Sequence, residues 1–348
     1  MRRRIVYFTN GHLPNREGVS KELLTLYSHF RRRFHGEVYL HNLAEKWQFS
    51  LSRDFAAYPV SLLPFGYPLI KYLERTSRLV HIYGSATGRL YLRVIRKKPC
   101  ILTSASALIT TRLKQCASAW TSIDVIVVES EQDRITLEAI GVDSQKISLI
   151  YPGVPIRNIH LPPGDAPFTI LFASSPIAKD LHSFQHRGVS FLIQLAKRVP
   201  DCHFIFLWRE THTKMLSKLL LESGAKNVEV LNEIVPNVEE VLKNAHTMIL
   251  SPEIPTNCKP CPNSLIESLA CGRPLLASNQ VGIADLIQQE HCGVVFPPDV
   301  NEAEKAVRKL QNNYEDYMIN ARSTALRYFS VEKFLDAYEN LYTRFGII

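Results

Sequence analysis

The chain has 348 residues, of which 46% are hydrophobic and 21% are charged, so it is long enough for two domains and too apolar to be disordered. Its formal net charge of +8 favours anionic partners such as nucleotide phosphates, an anionic membrane surface or nucleic acid. The longest apolar runs have the length of strands and are far shorter than the roughly 20 residues of a transmembrane helix.

Basic residues recur in short clusters at positions 2–4, 31–33 and 93–98. No helix-turn-helix, zinc-finger or RNA-binding motif accompanies them, so we expect no nucleic-acid partner. Such clusters are compatible with peripheral contact to an anionic membrane. The apolar run that follows the first cluster breaks at Thr9, which is too early for a secretory signal, and we therefore expect a cytoplasmic protein.

The first half of the chain alternates short runs of β-branched and aromatic residues with stretches of helical periodicity. A strand at 5–9 is followed by a loop at 11–18 and by a helix with an apolar face. Further strands are predicted at 37–40, 79–83, 100–102, 125–128 and 147–151. This order of strands and helices predicts an open parallel sheet.

A segment rich in proline and glycine, 155–167, predicts a linker between an N-terminal domain at 1–154 and a second domain at 168–326. The second domain repeats the alternation, with strands predicted at 168–173, 204–208, 228–231, 248–250, 274–277 and 294–296. The predicted fold class is α/β, with two Rossmann-like doubly wound domains facing across a cleft. In such sheets ligands bind beyond the carboxyl ends of the strands.

The seven cysteines are an odd number scattered over a long chain, which indicates reduced thiols. Cys258 and Cys261 form a C-x-x-C pair. A structural zinc site would need a second ligand pair, and only Cys271, His291 and Cys292 are candidates, at irregular spacing. We therefore expect free thiols in a polar loop and no metal site.

A helix is predicted to begin near Pro262 and to end near Gly272, because both residues are typical of helix boundaries. Ser264 and Glu267 have the spacing of a capping box, in which Glu267 only satisfies backbone N–H groups. The loop before Gly18 likewise has a functional and a structural interpretation. It is either an anion site at a helix N-terminus or an ordinary turn.

Several stretches resemble the retaining GT-B glycosyltransferases of family four, which use sugar nucleotides. They are IVYFTNGHLPNREGVSKELLTL near the start, IDVIVVESEQ and GVDSQKISLIYPGV before the linker, HRGVSFLIQLAKRVP, and PNSLIESLACGRPLLASNQVGIADLI with CGVVFPPD. Each stretch alone is weak evidence, but their order and spacing together are specific. The resemblance covers nearly the whole chain.

This resemblance implies a hexosyltransferase-like enzyme that moves a sugar from a nucleotide diphosphate sugar to an acceptor hydroxyl with retained configuration. The acceptor is an unknown glycan, lipid-linked molecule or small molecule, and a role in glycan, polysaccharide or glycolipid synthesis is implied. No metal ion and no cofactor other than the donor substrate is expected. The resemblance also implies that the last segment, 327–348, returns to the N-terminal domain.

The resemblance assigns donor-binding roles to five positions. It places Gly18 and Arg187 near the donor diphosphate, because free N–H groups and a guanidinium both suit phosphate oxygens. Backbone N–H groups of Ser264 and Leu265 face the same diphosphate. Glu267 matches the second acid of an E-x7-E motif and is expected to accept hydrogen bonds from the ribose hydroxyls.

This chain also departs from the family pattern. Ser174 stands where a second phosphate-binding arginine is usual, so Arg209 or Lys259 is expected to supply the missing charge. Lys259 occupies the position of the first motif glutamate, which contacts the donor sugar in the family. It marks either a changed phosphate clamp, with Arg187 and Lys259 as the catalytic cations, or a lost sugar contact.

Asp285 and His81 are two further candidates, and two other functions stay open. Asp285 replaces a glutamate at the rim of the site. His81 is the candidate for the histidine that lies near the donor sugar in the family, although a lone histidine between apolar residues is more often structural. The alternatives to a transferase are a catalytically impaired nucleotide-sugar-binding homologue and a GT-B sugar-nucleotide epimerase.

Overall fold

The computed structural model describes residues 3–9, 18–44, 50–59, 63–84, 89–97, 99–106, 108, 117–156, 167–174, 182–209, 212–233, 235, 238–254 and 258–348. The loop predicted at 11–18, apart from Gly18, lies outside the described residues, as does 157–166 of the predicted linker.

The chain divides into two compact units. Unit 1 comprises Met1–Pro152 and Phe334–Ile348, and unit 2 comprises Gly153–Lys333. Each unit contains one sheet of mainly parallel strands with helices between them, which confirms the predicted α/β class with two Rossmann-like domains. That the two units face each other across a cleft stays a prediction.

The sheet of unit 1 has the strand order β3-β4-β2-β1-β5-β6-β7-β8, and only β3 runs antiparallel to its neighbour. The strands are β1 (Arg3–Thr9), β2 (Val38–Ala44), β3 (Ser50–Leu51), β4 (Phe55–Pro59), β5 (Ser77–Gly84), β6 (Cys100–Ser104), β7 (Val125–Val128) and β8 (Ile147–Leu149).

Helices cover both faces of this sheet. They are α1 (Gly18–Arg33), α2 (Leu63–Thr76), α3 (Arg89–Val94), α4 (Glu131–Ala139) and, from the end of the chain, α13 (Val331–Thr343). Side chains of β1 alternate between two buried clusters: Ile5 and Tyr7 pack with α1 and α13, whereas Val6 and Phe8 pack with α2 and α3. Both faces are therefore apolar, as expected for a parallel sheet covered on both sides.

The sheet of unit 2 has the strand order β11-β10-β9-β12-β13-β14, and every neighbouring pair is parallel. The strands are β9 (Thr169–Phe172), β10 (His203–Trp208), β11 (Val228–Asn232), β12 (Thr247–Leu250), β13 (Leu275–Ser278) and β14 (Gly293–Phe296). The chain starts at β9, moves outward to β11 and then crosses to β12 on the other side of β9. A doubly wound sheet binds ligands at this kind of switch point.

The helices of unit 2 connect these strands or follow them. They are α5 (His182–Arg187), α6 (Val189–Arg198), α7 (Thr213–Ser223), α8 (Val238–Leu242), α9 (Asn263–Ala270), α10 (Ala284–Gln289), α11 (Val300–Asn312) and α12 (Tyr314–Thr324). Within the described part of the chain, no helix has the length and apolar character needed to cross a membrane.

Candidate functional site

Arg187 lies at the carboxyl edge of the unit 2 sheet, beside the switch point. It is the last residue of α5, and its Nη1 donates a hydrogen bond to Ser174 Oγ at 3.1 Å. Ser174 follows the end of β9 by two residues, so this bond fixes the guanidinium at the carboxyl end of the central strand. The side chain is half-buried, which leaves part of the group open to a ligand.

Gly188 brings the start of α6 against the neighbouring strand. Its backbone is left-handed, with φ of 67°, and a Cβ atom there would lie 1.8 Å from the carbonyl oxygen of Ser251. Ser251 directly follows β12. Only glycine fits such a close approach at this φ angle, so Gly188 holds Arg187 between the carboxyl ends of β9 and β12.

Cys258 attaches the segment before α9 to the end of α5. Its thiol donates to the carbonyl oxygen of His186 at 3.1 Å, and its Sγ lies 4.0 Å from Nη1 of Arg187. Burial raises the pKa of the Cys258 thiol, and the nearby Arg187 partly opposes that shift. Cys258 and Cys261 are both buried, and neither forms a disulfide. Among the described residues, no three His, Cys, Asp or Glu side chains are grouped as metal ligands.

A second glycine brings the connection after β13 into this cluster. A Cβ atom on Gly282 would lie 2.7 Å from the carbonyl oxygen of Pro260, which leaves no room for a side chain. The end of α5, the segment before α9 and the loop before α10 are therefore packed together at one edge of the sheet.

Helix α9 begins near Pro262, as predicted, but its first turn is not capped in the way that the Ser264–Glu267 spacing indicated. Its N-cap is Pro262, whose carbonyl oxygen accepts from the N–H groups of Leu265 at 3.0 Å and Ile266 at 3.4 Å. The capping-box interpretation of Ser264 and Glu267 is therefore wrong, because the helix begins before Ser264. The prediction that the N–H group of Leu265 faces the diphosphate is also wrong, because this group donates to Pro262 O inside the first turn of the helix.

The prediction named the backbone N–H groups of Ser264 and Leu265, whereas those available to an anion at the start of α9 are the N–H groups of Asn263 and Ser264. Neither donates to another group within the described part of the chain. The first backbone N–H groups of a helix are oriented along its axis and attract anions. Asn263 was not among the residues that the sequence predicted for this site.

Lys259 adds a full positive charge to the same helix end. Its Nζ donates to Asn263 Oδ1 at 2.9 Å, and the side chain is half-buried. Asn263 thereby links the ammonium group to the first turn of α9. The ammonium group, the helix N-terminus and Arg187 all favour negative charge, so this edge of the sheet is suited to an anion.

The remaining residues that the sequence predicted for donor binding lie on or directly after four different elements. Glu267 is half-buried on α9, Arg209 is exposed directly after β10, and Asp285 is exposed in the first turn of α10. Gly18 is the first residue of α1 in unit 1. The structure thus groups Arg187, Lys259 and the start of α9, with Arg209 one strand away.

His81 is not accessible to a donor sugar. It lies inside β5 and has no exposed surface; its Nδ1 is 2.6 Å from Tyr342 Oη and its Nε2 is 2.8 Å from Thr103 Oγ1. Burial lowers its pKa to about 3. The prediction that His81 contacts the donor sugar is therefore wrong, because both ring nitrogens are used inside the core of unit 1.

Comparison with known families finds one match in unit 2. Residues 182–324 match the family model described as glycosyl transferases group 1. This range begins at α5 and ends with α12, and it contains Arg187, Lys259 and all of α9. A comparison with curated protein sequences gives no match.

Solved structures match the whole chain at low sequence identity. Sucrose-phosphate synthase from Thermosynechococcus elongatus has a TM-score of 0.77 and 16% identity, covering 98% of this chain and 99% of that chain. Alr3699/HepE of Anabaena, in complex with UDP and glucose, has a TM-score of 0.75 and 13% identity, covering 98% and 100%. The lipopolysaccharide outer core galactosyltransferase WaaB has a TM-score of 0.74 and 16% identity, covering 98% and 99%.

Proposed function

We propose that this chain, of which residues 182–324 match the model of group 1 glycosyl transferases, transfers a sugar from a nucleotide diphosphate sugar to an acceptor hydroxyl with retention of configuration. The observation that carries the proposal is the placement of Arg187, Lys259 and the N-terminus of α9 together at the carboxyl edge of the sheet, within the segment that matches this family.

Arg187 binds the donor diphosphate in this proposal. The hydrogen bonds described for its side chain use only Nη1, toward Ser174 and Cys258. These bonds orient the guanidinium plane, and its other nitrogens point their N–H groups elsewhere. A guanidinium keeps its charge at all relevant pH values and suits phosphate oxygens through parallel N–H donors.

Lys259 and the N–H groups of Asn263 and Ser264 bind the diphosphate from the side of α9. Expulsion of the nucleotide diphosphate builds negative charge on the leaving oxygen, and fixed positive groups lower the barrier to that step. Lys259 therefore replaces the cation that is missing where Ser174 stands. The leaving phosphate takes the proton of the acceptor hydroxyl, so no protein side chain is assigned as a base.

Glu267 accepts hydrogen bonds from the ribose hydroxyls, for which an acceptor-only carboxylate is suited. A hexose as donor sugar, catalysis without a metal ion and a role in glycan, polysaccharide or glycolipid synthesis are parts of the same proposal. UDP sugars are the first donors to test, because solved structures of Alr3699/HepE contain UDP and UDP-glucose.

A panel of nucleotide sugars tests the proposal through donor affinity and slow release of nucleotide diphosphate. We expect one donor to bind and to be hydrolysed, and Arg187→Gln to lower the rate by about a hundredfold, the usual effect of removing a group that stabilises a developing oxyanion. Arg198→Gln is the matched control, since Arg198 is exposed on α6 and pairs with Glu304 at 3.0 Å.

Three outcomes would contradict the transferase assignment. Binding without turnover would indicate the catalytically impaired homologue, which the lysine at position 259 favours. Conversion of a donor into its epimer without transfer would indicate an epimerase. Absence of binding by every nucleotide sugar would remove the donor site itself.

A further inference from the structure

A basic surface of unit 1 is formed where the ends of α2 and α3 meet. The segments 63–84 and 89–97 carry seven lysine and arginine residues and one acidic residue, Glu74. We call the side chains of Lys71, Arg75, Arg78, Arg93, Arg96 and Lys97 the α2–α3 basic surface. Arg75, Arg78, Arg93 and Arg96 are exposed to solvent.

The single carboxylate of these segments, that of Glu74, bonds to residues of the α2–α3 basic surface itself. Glu74 is buried, with 3% of its area exposed, and it accepts from the backbone N–H groups of Arg96 at 2.6 Å and Lys97 at 2.8 Å. It also pairs with Lys71. Glu74 therefore joins α2 to the end of α3 and neutralises at most one of the surrounding cations.

Most other hydrogen bonds described for these cations go to neutral carbonyl groups. Arg78 donates to Gly346 O at 2.6 Å, and Arg96 donates to Leu92 O at 2.7 Å and to Ile95 O at 2.9 Å. Lys97 donates to Arg75 O at 3.3 Å and also to Ser77 O. A carbonyl group holds a side chain in place but adds no negative charge to the surface.

Other surface cations of both units pair with carboxylates, as Arg4 does with Glu37 in unit 1. Arg308 pairs with Asp201 at 2.5 Å, Arg327 pairs with Glu290 at 2.8 Å, and Lys305 pairs with Glu302 at 2.7 Å. Within the described part of the chain, by contrast, no ion pair is found for Arg75, Arg78, Arg93 or Arg96 of the α2–α3 basic surface. Uncompensated charge of one sign on one surface favours a partner of opposite charge.

Two exposed aromatic residues lie on the same helix. Tyr67 is 47% exposed and Tyr72 is 51% exposed on α2, beside Lys71 and Arg75. Tyrosine is enriched at membrane interfaces, where its ring is buried at headgroup level and its hydroxyl stays hydrated. Cations near an anionic bilayer are attracted to its surface, and tyrosines beside them can enter the headgroup layer.

The surface is at the edge of the unit 1 sheet opposite the carboxyl ends of its strands. Lys97 contacts Ser77, the first residue of β5, and Pro99 O accepts from Val80 N at 3.1 Å before β6 begins. Helices that connect parallel strands run antiparallel to them, so the C-terminal ends of α2 and α3 lie at the amino ends of β5 and β6. Contact there leaves the carboxyl edge uncovered.

We propose that the α2–α3 basic surface docks unit 1 onto an anionic lipid surface. The cations contact the lipid phosphates, and Tyr67 and Tyr72 enter the headgroup layer. This interaction is independent of the donor site in unit 2, so it stands or falls separately from the proposed transferase activity.

Cosedimentation with vesicles tests the proposal, using equal parts of phosphatidylglycerol and phosphatidylcholine against phosphatidylcholine alone, at low and high salt. We expect binding only to the anionic vesicles and only at low salt. The variant R75E/R93E is expected to bind at least about thirtyfold more weakly, because each cation near an anionic bilayer contributes about a factor of five. Neither arginine makes a described side-chain bond, so the fold should be retained.

The matched control is K214E/K226E, which makes the same change in charge on exposed residues of unit 2. If the control loses as much binding as R75E/R93E, only net charge matters and the proposal is overturned. If R75E/R93E has a lowered thermal midpoint, R75Q/R93Q replaces it with the same expectation. The proposal is also overturned if wild-type protein ignores anionic vesicles, or if it binds a random-sequence RNA duplex more tightly than the vesicles.

Discussion

Asp133 shows how burial of a single acid contributes to the pH dependence of unit 1. It lies in the first turn of α4 with 8% of its area exposed, and its N–H donates to Ser130 Oγ at 3.1 Å. Burial raises the pKa of its carboxyl group from 3.8 to about 7, and a hydrogen bond with Ser130 opposes the shift. Between these two values the folded state binds more protons than the unfolded state, so Asp133 makes the protein less stable as pH rises from about 4 to about 7.

The substitution Asp133→Asn is expected to remove this loss of stability at higher pH. At about pH 8 we expect a gain in the free energy of unfolding of about 2 kcal/mol, below the ceiling of about 4 kcal/mol that the full pKa shift corresponds to. Near pH 4 the variant should match wild type. Urea unfolding at both pH values measures the difference, with Asp336→Asn on the exposed face of α13 as the control. An equal change in the free energy of unfolding of the two variants would contradict the raised pKa of Asp133.

The position of a residue in the fold is predictable from sequence where the local chain decides it. Arg187 is followed by a glycine, and its place at a helix end beside a strand end follows from the order of elements. His81 was misassigned because its partners, Thr103 and Tyr342, are 22 and 261 residues away. Such contacts leave no pattern around the histidine itself.

Helix α9 shows the limit of boundary prediction at the scale of an element. The Ser264–Glu267 spacing fits a capping box, but the helix begins at Asn263 with Pro262 as N-cap. A shift of a residue or two changes which N–H groups are free, because only the first ones lack acceptors inside the helix. Because Pro262 is the N-cap, the start of the helix does not depend on a Ser264–Glu267 capping box, and glutamine at position 267 keeps the size of the side chain while removing its charge.

Glu267→Gln therefore separates donor binding from helix stability. We expect an unchanged thermal midpoint and donor affinity that is about ten- to a hundredfold lower, as expected for a lost hydrogen bond to a charged group. Titration with UDP and with the donor found in the panel measures the affinity. Glu222→Gln, an exposed change at the end of α7, serves as the control. Unchanged donor affinity would remove the ribose role of Glu267.

Strands were predictable where β-branched and aromatic residues form an uninterrupted run. Every strand that the sequence indicated is present, with ends that shift by a few residues at most. Strands β3 and β4 were missed. β4 reads FAAYP, which has a weak strand signal, and it is defined by pairing with β2, where Asn42 lies opposite Ala57. A strand that depends on its partner is not visible in its own residues.

At the scale of the whole molecule, the end of the chain completes the core of unit 1. Phe334–Ile348 belongs to this unit, and Phe334, Tyr338, Leu341 and Tyr342 pack against β1 and α1. The amphipathic pattern of this helix is visible in the sequence. Its docking partner was expected only from the resemblance, because an apolar stripe does not specify the surface that covers it.

Hydrogen bonds between buried side chains make this attachment specific. Tyr342 Oη lies 3.1 Å from Tyr7 Oη and 2.6 Å from His81 Nδ1, and Tyr338 Oη lies 2.8 Å from Thr103 Oγ1. These bonds link α13 to β1, β5 and β6, the centre of the sheet. Buried polar groups that lose their partner carry the full cost of desolvation, so the register of α13 is fixed.

Tyr342→Phe is expected to destabilise unit 1 and to leave unit 2 unchanged. Removal of the hydroxyl leaves His81 Nδ1 and Tyr7 Oη without this partner, at a cost of about 2–4 kcal/mol for the two groups. Hydrogen exchange measured by mass spectrometry should become faster in peptides from β1 and β5, with no change in β9 or β12. Tyr317→Phe in α12 is the matched control, since no hydrogen bond to its hydroxyl is found within the described residues. Equal exchange in both variants would show that the buried hydroxyl network does not hold the last helix to unit 1.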